Sequence, residues 1–289
     1  MHCVRCRLPE PWMPPARLER RNSFFMRTGS QAVVTTVFGN QINNLDYTFS
    51  SFARNRHMEL HAFIIGDRLP DRQVPGIKYH LRPPDPGFSH PFRDCQHRRF
   101  LFADELDVEY AIVVDGTDAL CLQDLPEIPR LLRGASVAGC VEYSGGSRLM
   151  CGQSCANYIN DGVSFWHLPS SRKIREAIVQ RGRSMFRTLW DDQESFNEVI
   201  LVEHPDELVI LPCQYNYRGF LNKRHRGWAT VSHLDGVKIY HCRLCIDEAK
   251  RLMPFAPEAT LKPLPPDTGT LTTWQQRLRR YRHRFKRWE

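Results

Sequence analysis

Residues 110–118 read YAIVVDGTD. Tyr110, Ile112, Val113 and Val114 form an almost unbroken apolar run, the pattern of a strand covered on both faces, as in a parallel sheet. Two carboxylates, Asp115 and Asp118, follow it at once. In open α/β sheets ligands bind at the carboxyl ends of strands, so the spacing predicts that both acids stand at the rim of a ligand crevice.

The flanking chain supplies the rest of such a sheet. Ala32 to Phe38 (AVVTTVF) predicts a strand, Asn40 to Asn43 a loop, Leu45 to Arg54 an amphipathic helix, and Leu60 to Ile65 (LHAFII) a second strand ended by Gly66 and Asp67. Strand, helix, strand with short connections opens a parallel, doubly wound sheet. A helix over Phe92 to Leu106 feeds the strand before the acids. Further on, the pattern predicts a helix near Glu127 to Leu132, a strand at Ala135 to Val141 and a Gly-rich loop at Ser144 to Gln153. Helices at Ser171 to Gln180 and Asp192 to Ile200 and strands near Leu208 to Leu211 and Val237 to His241 complete the reading, with no internal repeat.

The 289 residues, 42% hydrophobic and 25% charged, suffice for one large α/β domain with a full core. No segment approaches the roughly 18 apolar residues of a membrane span, and the first thirty residues lack the apolar centre of a secretory leader, so a cytoplasmic protein is expected. Residues 1–30 carry Pro9, Pro11, Pro14, Pro15 and many arginines without periodicity, which reads as a disordered leader with Met26 as an alternative start. Ten cysteines scattered through core-like segments are expected to be reduced thiols. Cys3/Cys6 and Cys242/Cys245, with His241, permit a zinc site to be drawn, but their flanks lack the usual companion spacings.

The net charge of +8 belongs mostly to one end. Residues 271–289 hold seven Lys/Arg against Glu289, a surplus of six that leaves +2 for everything else, so no broad nucleic-acid face is expected. In this tail Leu271, Trp274, Leu278, Tyr281, Phe285 and Trp288 step by three and four, lining one face of a helix opposite the cations. Such a basic amphipathic helix predicts peripheral association with an anionic membrane; the competing reading is a helix packed on the domain or on an oligomer partner. Pro254, Pro257, Pro263, Pro265 and Pro266 mark a stiff linker before it. The expected organisation is a leader over 1–30, one domain over 31–255, a linker over 256–270 and a tail helix over 271–289.

Five segments, in order, resemble the retaining glycosyltransferases of family 8 and their GT-A relatives. AIVVDGTDALCLQDLPEI resembles the family's strand, metal-binding acids and following "L.DL.EL" stretch. YINDGVSF resembles its "NAGV" segment, WDDQESFNEVI its "DQD.LN" segment, and LPCQYNY and VKIYH its late "LP..YN" and "I.H" segments. The family's acids are spaced DxD, whereas this chain has DGTD, which is similar to the DxxD site in the glycosyltransferase domains of lysyl hydroxylases. The lysine of the family's "GxxKPW" has no counterpart in CRLCIDEAKR, leaving Lys238, Arg243 and Lys250 as candidates for the diphosphate contact.

The resemblance implies a GT-A type α/β fold with a mixed, mainly parallel sheet flanked by helices. It implies a metal-dependent hexosyltransferase with Mn²⁺ or Mg²⁺ as cofactor, a nucleotide-sugar donor such as UDP-glucose or UDP-galactose, and a glycan or glycolipid acceptor. Asp115, Asp118 and His241 become the expected metal ligands, a mixed carboxylate and imidazole set that suits Mn²⁺. Arg99, with Arg98 as its rival, Asn160, Thr36 and Phe38 form the expected donor-binding set. Gln193 matches the position nearest the anomeric carbon, and Asp192 is placed for sugar hydroxyls.

The chemistry has its own logic. A nucleoside diphosphate leaves with concentrated negative charge, which a hard cation held by carboxylates neutralises. Against this stand plainer readings: turn hydrogen bonds for Asp115 and Asp118, a helix cap for Asp192, and core packing for His241. Haloacid dehalogenase phosphatases also carry DGT, but their nucleophilic acid would fall on Val113. Sugar nucleotidylyltransferases open with a Gly-rich loop that VFGNQINN does not supply. A catalytically inactive scaffold of the same fold, working through its basic tail, is the alternative function; RNA binding by that tail is a weaker third.

Overall fold

A computed structural model of the chain describes residues 29–39, 45, 48–141, 148–150, 153–155, 158–184, 191–217 and 236–241. The expected leader up to residue 28, the loop 40–43, both Cys-x-x-Cys pairs, Arg243, Lys250, the linker, the tail helix and most of the Gly-rich loop lie outside these residues.

The chain runs through β1 (Gln31–Phe38), β2 (Met58–Ile65), β3 (Ile77–Arg82), α1 (Pro91–Phe102), β4 (Tyr110–Val114), β5 (Ala119–Cys121) and α2 (Ile128–Leu132). There follow β6 (Val137–Val141), β7 (Arg148–Met150), β8 (Gln153–Cys155), β9 (Ile159–His167), α3 (Leu168–Ser184), α4 (Asp191–Asn197), β10 (Leu208–Leu211) and β11 (Ile239–His241). One seven-stranded sheet has the order β10-β6-β9-β4-β1-β2-β3. All its pairings are parallel except those of β9, which runs antiparallel between β4 and β6.

Strand periodicity sorts the side chains onto two covered faces. Val33 and Val37 of β1 join Leu60, Ile64, Ile112 and Val114 in one layer, closed by Phe49, Phe52, Ile128 and Leu132. Ala32, Val34 and Phe38 join Phe63, Ile65 and Val113 in the other, closed by Phe100, Ile174, Ile178 and Phe196. All eight residues of β1 are buried, and each large apolar side chain so placed contributes roughly 1.5–3 kcal/mol of transfer free energy.

Helix α1 starts at His90, whose Nδ1 accepts from the Phe92 amide at 3.0 Å, with Pro91 at the first helical position, where a missing amide proton costs nothing. A wholly buried arginine ties α1 to α3: Arg175 donates to Phe100 O at 2.9 Å, Leu168 O at 2.8 Å and Asp104 Oδ1 at 2.6 Å. This clamp fixes the helix that carries Arg99.

Two local expectations change, and some strands were not anticipated. The helix expected over 45–54 is a 3₁₀ helix over Phe49–Arg54. Ser51 Oγ donates to Thr48 O and Asn55 Nδ2 to Phe52 O, side-chain bonds that compete with the α-helical ladder. The stretch expected as a Gly-rich loop contains β7, which forms an antiparallel pair with β8. The strands β3, β5 and β9 were not legible from periodicity; β9 carries Asn160, Asp161 and Ser164 among its apolar residues, which breaks the pattern. Among the described residues no helix is long and apolar enough to cross a membrane.

Candidate functional site

The acids occupy the predicted rim. Asp115 directly follows β4; its amide donates to Gly162 O at 2.8 Å, and its carbonyl accepts from the Asp118 and Ala119 amides at 3.3 and 3.0 Å, closing a tight turn. The Gly116 amide donates to Thr35 Oγ1 at 2.9 Å. A Cβ at Gly116 would stand 2.2 Å from that oxygen, so the turn needs glycine at this step. The same turn directs the chain into β5, which pairs antiparallel with β11, Ala119 opposite His241. Register alone therefore delivers the histidine beside Asp118.

Asp115, Asp118 and His241 bring one potential ligand atom each to within 4.8 Å of one another. His241 Nε2 lies 3.4 Å from Asp115 Oδ2 and 3.4 Å from Asp118 Oδ1. Its other nitrogen, Nδ1, lies 3.0 Å from Asn216 Oδ1. A metal-ligating histidine commonly donates its second N–H in this way, which leaves the first nitrogen bare toward the cation. Asp118 Oδ1 is buried without a hydrogen-bond partner among the described residues, a costly condition that a cation would relieve. The donor set fits a divalent ion of the Mn²⁺ type. Gly162 is required here as well: a Cβ there would lie 2.2 Å from His241 Cε1 and 2.6 Å from Asp115 Oδ2.

Behind the triad lies a buried charge cluster. Arg99 bonds Asp115 through Nη1, and its Nη2 reaches Asp161 Oδ2 at 2.7 Å and Asp192 Oδ2 at 3.3 Å. Burial works against the charge on Arg99, but Asp161, Asp115 and Asp192 together outweigh it and hold the guanidinium far above its ordinary pKa. One cation cannot satisfy three acids equally. Burial, reinforced by Asp161, pushes the Asp192 carboxyl well above the usual carboxylate range, against the pull of Arg99. The acid at the longest distance from the guanidinium thus keeps its proton more readily than an ordinary carboxyl does.

Asp161 was not singled out from the sequence. A register shift in the β6–β9 ladder brings it here: Gly139 faces Ser164, yet the next residue, Cys140, faces Asn160, so Asp161 to Val163 have no partner on β6. Irregular ladders of this kind re-aim side chains beside functional sites. An acid in a strand otherwise able to be buried was the available signal.

The remaining predicted residues divide. Asn160 Nδ2 donates to Gln193 Oε1 at 2.9 Å, and Asp192 heads the same helix, so these three stand together next to the triad. Asp192 Oδ1 is buried without a hydrogen-bond partner among the described residues. Asn197, also missed from the sequence, ties α4 to β9: its Oδ1 accepts from the Ile159 amide at 2.6 Å and its Nδ2 donates to Ile159 O at 2.8 Å. Thr36 Oγ1 is likewise buried and unpartnered among the described residues. Phe38 packs edge-on against His90 and Phe92, in the apolar layer rather than among the acids. Arg98 bonds Asp94 and donates to Pro83 O at 2.7 Å, so between the two arginine rivals it is Arg99 that reaches the acids.

A mainly parallel seven-stranded sheet with one antiparallel inner strand and helices on its flanks, bearing acids at a strand end, is the GT-A type of nucleotide-diphospho-sugar transferase fold. Solved structures bear this out. The chain is similar to the galactosyltransferase LgtC in complex with donor and acceptor sugar analogs, at 15% identity and a TM-score of 0.52, covering 80% of this chain and 97% of that one. An active-site mutant of LgtC matches at 14% identity and a TM-score of 0.53, with 80% and 97% covered. The apo structure of WbbM, a bifunctional glycosyltransferase, matches at 13% identity and a TM-score of 0.50 over 76% of this chain and 46% of WbbM. No protein-family model matches the chain, and no curated protein matches it at a significant level.

Proposed function

We propose that this protein is a metal-dependent glycosyltransferase that moves a hexose from a nucleotide sugar, UDP-glucose or UDP-galactose first among them, to a glycan or glycolipid acceptor with retention of configuration. The observation that carries the reading is the convergence of Asp115, Asp118 and His241 on one point, with an Asp118 oxygen that is buried without a hydrogen-bond partner among the described residues. The likeness in fold to a galactosyltransferase supports the same class.

Asp115, Asp118 and His241 Nε2 are the residues that would hold Mn²⁺ or Mg²⁺. When bound, the ion would supply positive charge to the diphosphate as the glycosidic bond breaks. Asp192 offers its Oδ1 to a sugar hydroxyl, and Thr36 Oγ1 offers a second polar contact to the donor. Arg99 keeps Asp115, Asp161 and Asp192 in register. Gln193, held by Asn160, lies beside the reacting carbon; the active-site mutant of LgtC exchanges a glutamine for glutamate. None of these side chains reads as a covalent nucleophile. In a front-face displacement none is needed: the bond from the anomeric carbon to the diphosphate oxygen breaks, the acceptor oxygen bonds that carbon on the same face, and the acceptor proton passes to the departing phosphate. The tail over 271–289 would hold the enzyme at an anionic membrane surface, near a lipid-linked acceptor.

The test is turnover of UDP- and GDP-sugars with Mn²⁺, Mg²⁺ or chelator by the wild type and Asp118→Ala. Metal-dependent hydrolysis or transfer of one donor, lost in the variant, is expected. Failure of every nucleotide sugar to bind in the presence of metal would overturn the enzyme in favour of an inactive scaffold.

A further inference from the structure

The polar side chains between His241 and Gln193 form one hydrogen-bonded chain. His241 Nδ1 lies 3.0 Å from Asn216 Oδ1, Asn216 Nδ2 donates to Asn160 Oδ1 at 2.8 Å, and Asn160 Nδ2 donates to Gln193 Oε1 at 2.9 Å. All four residues are buried.

The direction of this chain is fixed at one point. Asn216 Nδ2 also donates to the backbone carbonyl of Asn160 at 3.3 Å. A carbonyl oxygen can only accept, so the nitrogen of Asn216 must face β9 and its oxygen must face the histidine. An Nδ1–H therefore faces Asn216, and in the neutral imidazole this leaves Nε2 with its lone pair toward Asp115 and Asp118. On the other side, Asn160 receives the donated proton on its oxygen, so its own N–H₂ turns to Gln193 and fixes the glutamine with Oε1 toward Asn160. One amide thus sets the imidazole tautomer and, two bonds further along, the orientation of the glutamine.

Backbone pairing puts Asn216 in that position. The Tyr217 amide donates to Ile239 O at 2.9 Å, the His241 amide to Tyr217 O at 2.9 Å, and the Lys238 amide to Gln214 O at 2.8 Å, so the segment around Asn216 runs alongside β11. Gln193 and Asn160 come from other parts of the fold, and Asn216 links them to His241.

We propose that Asn216 is a positioning residue that presets two halves of the site at once: it holds His241 in the metal-ready tautomer, and through Asn160 it orients the Gln193 amide. The proposal rests on the metal-dependent reading of the site. It predicts that the two roles separate by chemistry. A carboxylate in place of the amide still accepts the Nδ1 proton but has no N–H for Asn160. An alanine serves neither side.

The experiment measures Mn²⁺ affinity of the full chain from the electron paramagnetic resonance of free Mn²⁺, together with donor hydrolysis, for the wild type, Asn216→Ala and Asn216→Asp. Circular dichroism in chelator checks that each is folded. Expected is a Mn²⁺ affinity weakened about 10- to 100-fold in Asn216→Ala, the usual effect of removing the partner of a ligating histidine. Asn216→Asp is expected to hold Mn²⁺ within a few-fold of the wild type yet to lose turnover by about tenfold or more, because only the link to Gln193 is broken. If Asn216→Ala does not fold, this second variant still decides. Wild-type affinity in Asn216→Ala, or full turnover in Asn216→Asp, would overturn the role of Asn216 while leaving the metal site standing. Absence of Mn²⁺ binding by the wild type would overturn both.

Discussion

Arg99 Nη2 donates to Asp161 Oδ2 at 2.7 Å, and each of these side chains is only 4% exposed. The pair is buried, but it is not isolated, because Asp115 and Asp192 also engage the guanidinium. The consequences of breaking it are unequal. Asp161→Ala leaves Arg99 two other carboxylates, whereas Arg99→Ala leaves three acids facing one another without a cation. Removing one partner of a buried pair typically costs about 3–5 kcal/mol, and that full loss is expected for Arg99→Ala, with roughly half of it for Asp161→Ala. Urea unfolding of the two variants in chelator measures the difference.

Asp118 is expected to give opposite results with and without metal. Its Oδ1 makes no hydrogen bond among the described residues and stands in a group with a second carboxylate, so Asp118→Asn removes repulsion and forfeits little. In chelator the variant should melt at or above the wild-type temperature. With excess Mn²⁺ the wild type gains stability by mass action while the variant does not, and the order reverses. Thermal melts under the two conditions check this; a variant that melts below the wild type in chelator would refute it.

The raised pKa of Asp192 makes folding stability pH-dependent in a definite direction. The folded carboxyl holds its proton to higher pH than the ordinary value of 3.8. The stability it contributes is therefore fully present below that value and is lost as pH rises through the folded pKa. Asp192→Asn cannot lose it. Relative to the wild type in chelator, the variant's melting temperature is expected to climb over the span that begins at the ordinary carboxyl value of 3.8 and rises toward the folded pKa. A difference that stays level across that span would mean that the carboxyl is already ionised at the acid end.

Gly162 carries a steric prediction. In Gly162→Ala the new methyl meets His241 and Asp115 together, at 2.2 and 2.6 Å, and both are expected metal ligands. The ligands must part, so Mn²⁺ affinity is expected to fall about tenfold or more, as it does when a ligand's supporting contacts are lost. Isothermal titration with Mn²⁺ checks this, with the melting temperature in chelator as control.

Much of this arrangement was readable before any coordinates. The strands flanking Asp115 were legible because they are buried on both faces and so are apolar without interruption. Asp115 and His241 were legible because the one directly follows such a strand and the other closes one, and Asp118 because the DGTD stretch resembles the family's metal-binding acids. The edge strand β3 was not, since its residues IKYHLR are only partly covered. Nor was β9, where Asn160 and Asp161 turn to Gln193 and Arg99 and interrupt the apolar pattern. Asp161 and Asn216 were missed for a related reason. Their significance lies in what they face, namely Arg99 on one side and His241 on the other, and those meetings are made by an irregular ladder and by a segment docked along β11, neither of which leaves a period in the sequence.

The two-stranded pairing of β5 with β11 has a consequence for the order in which the molecule is made. Asp115 and Asp118 emerge from the ribosome well over a hundred residues ahead of His241. Until β11 docks, a cation would meet two carboxylates and no imidazole, which is an ordinary surface of low affinity. Under the proposed metal-dependent reading, tight capture is then reserved for chains that have threaded this late segment against the early one, so the centre would double as a certificate of completed folding.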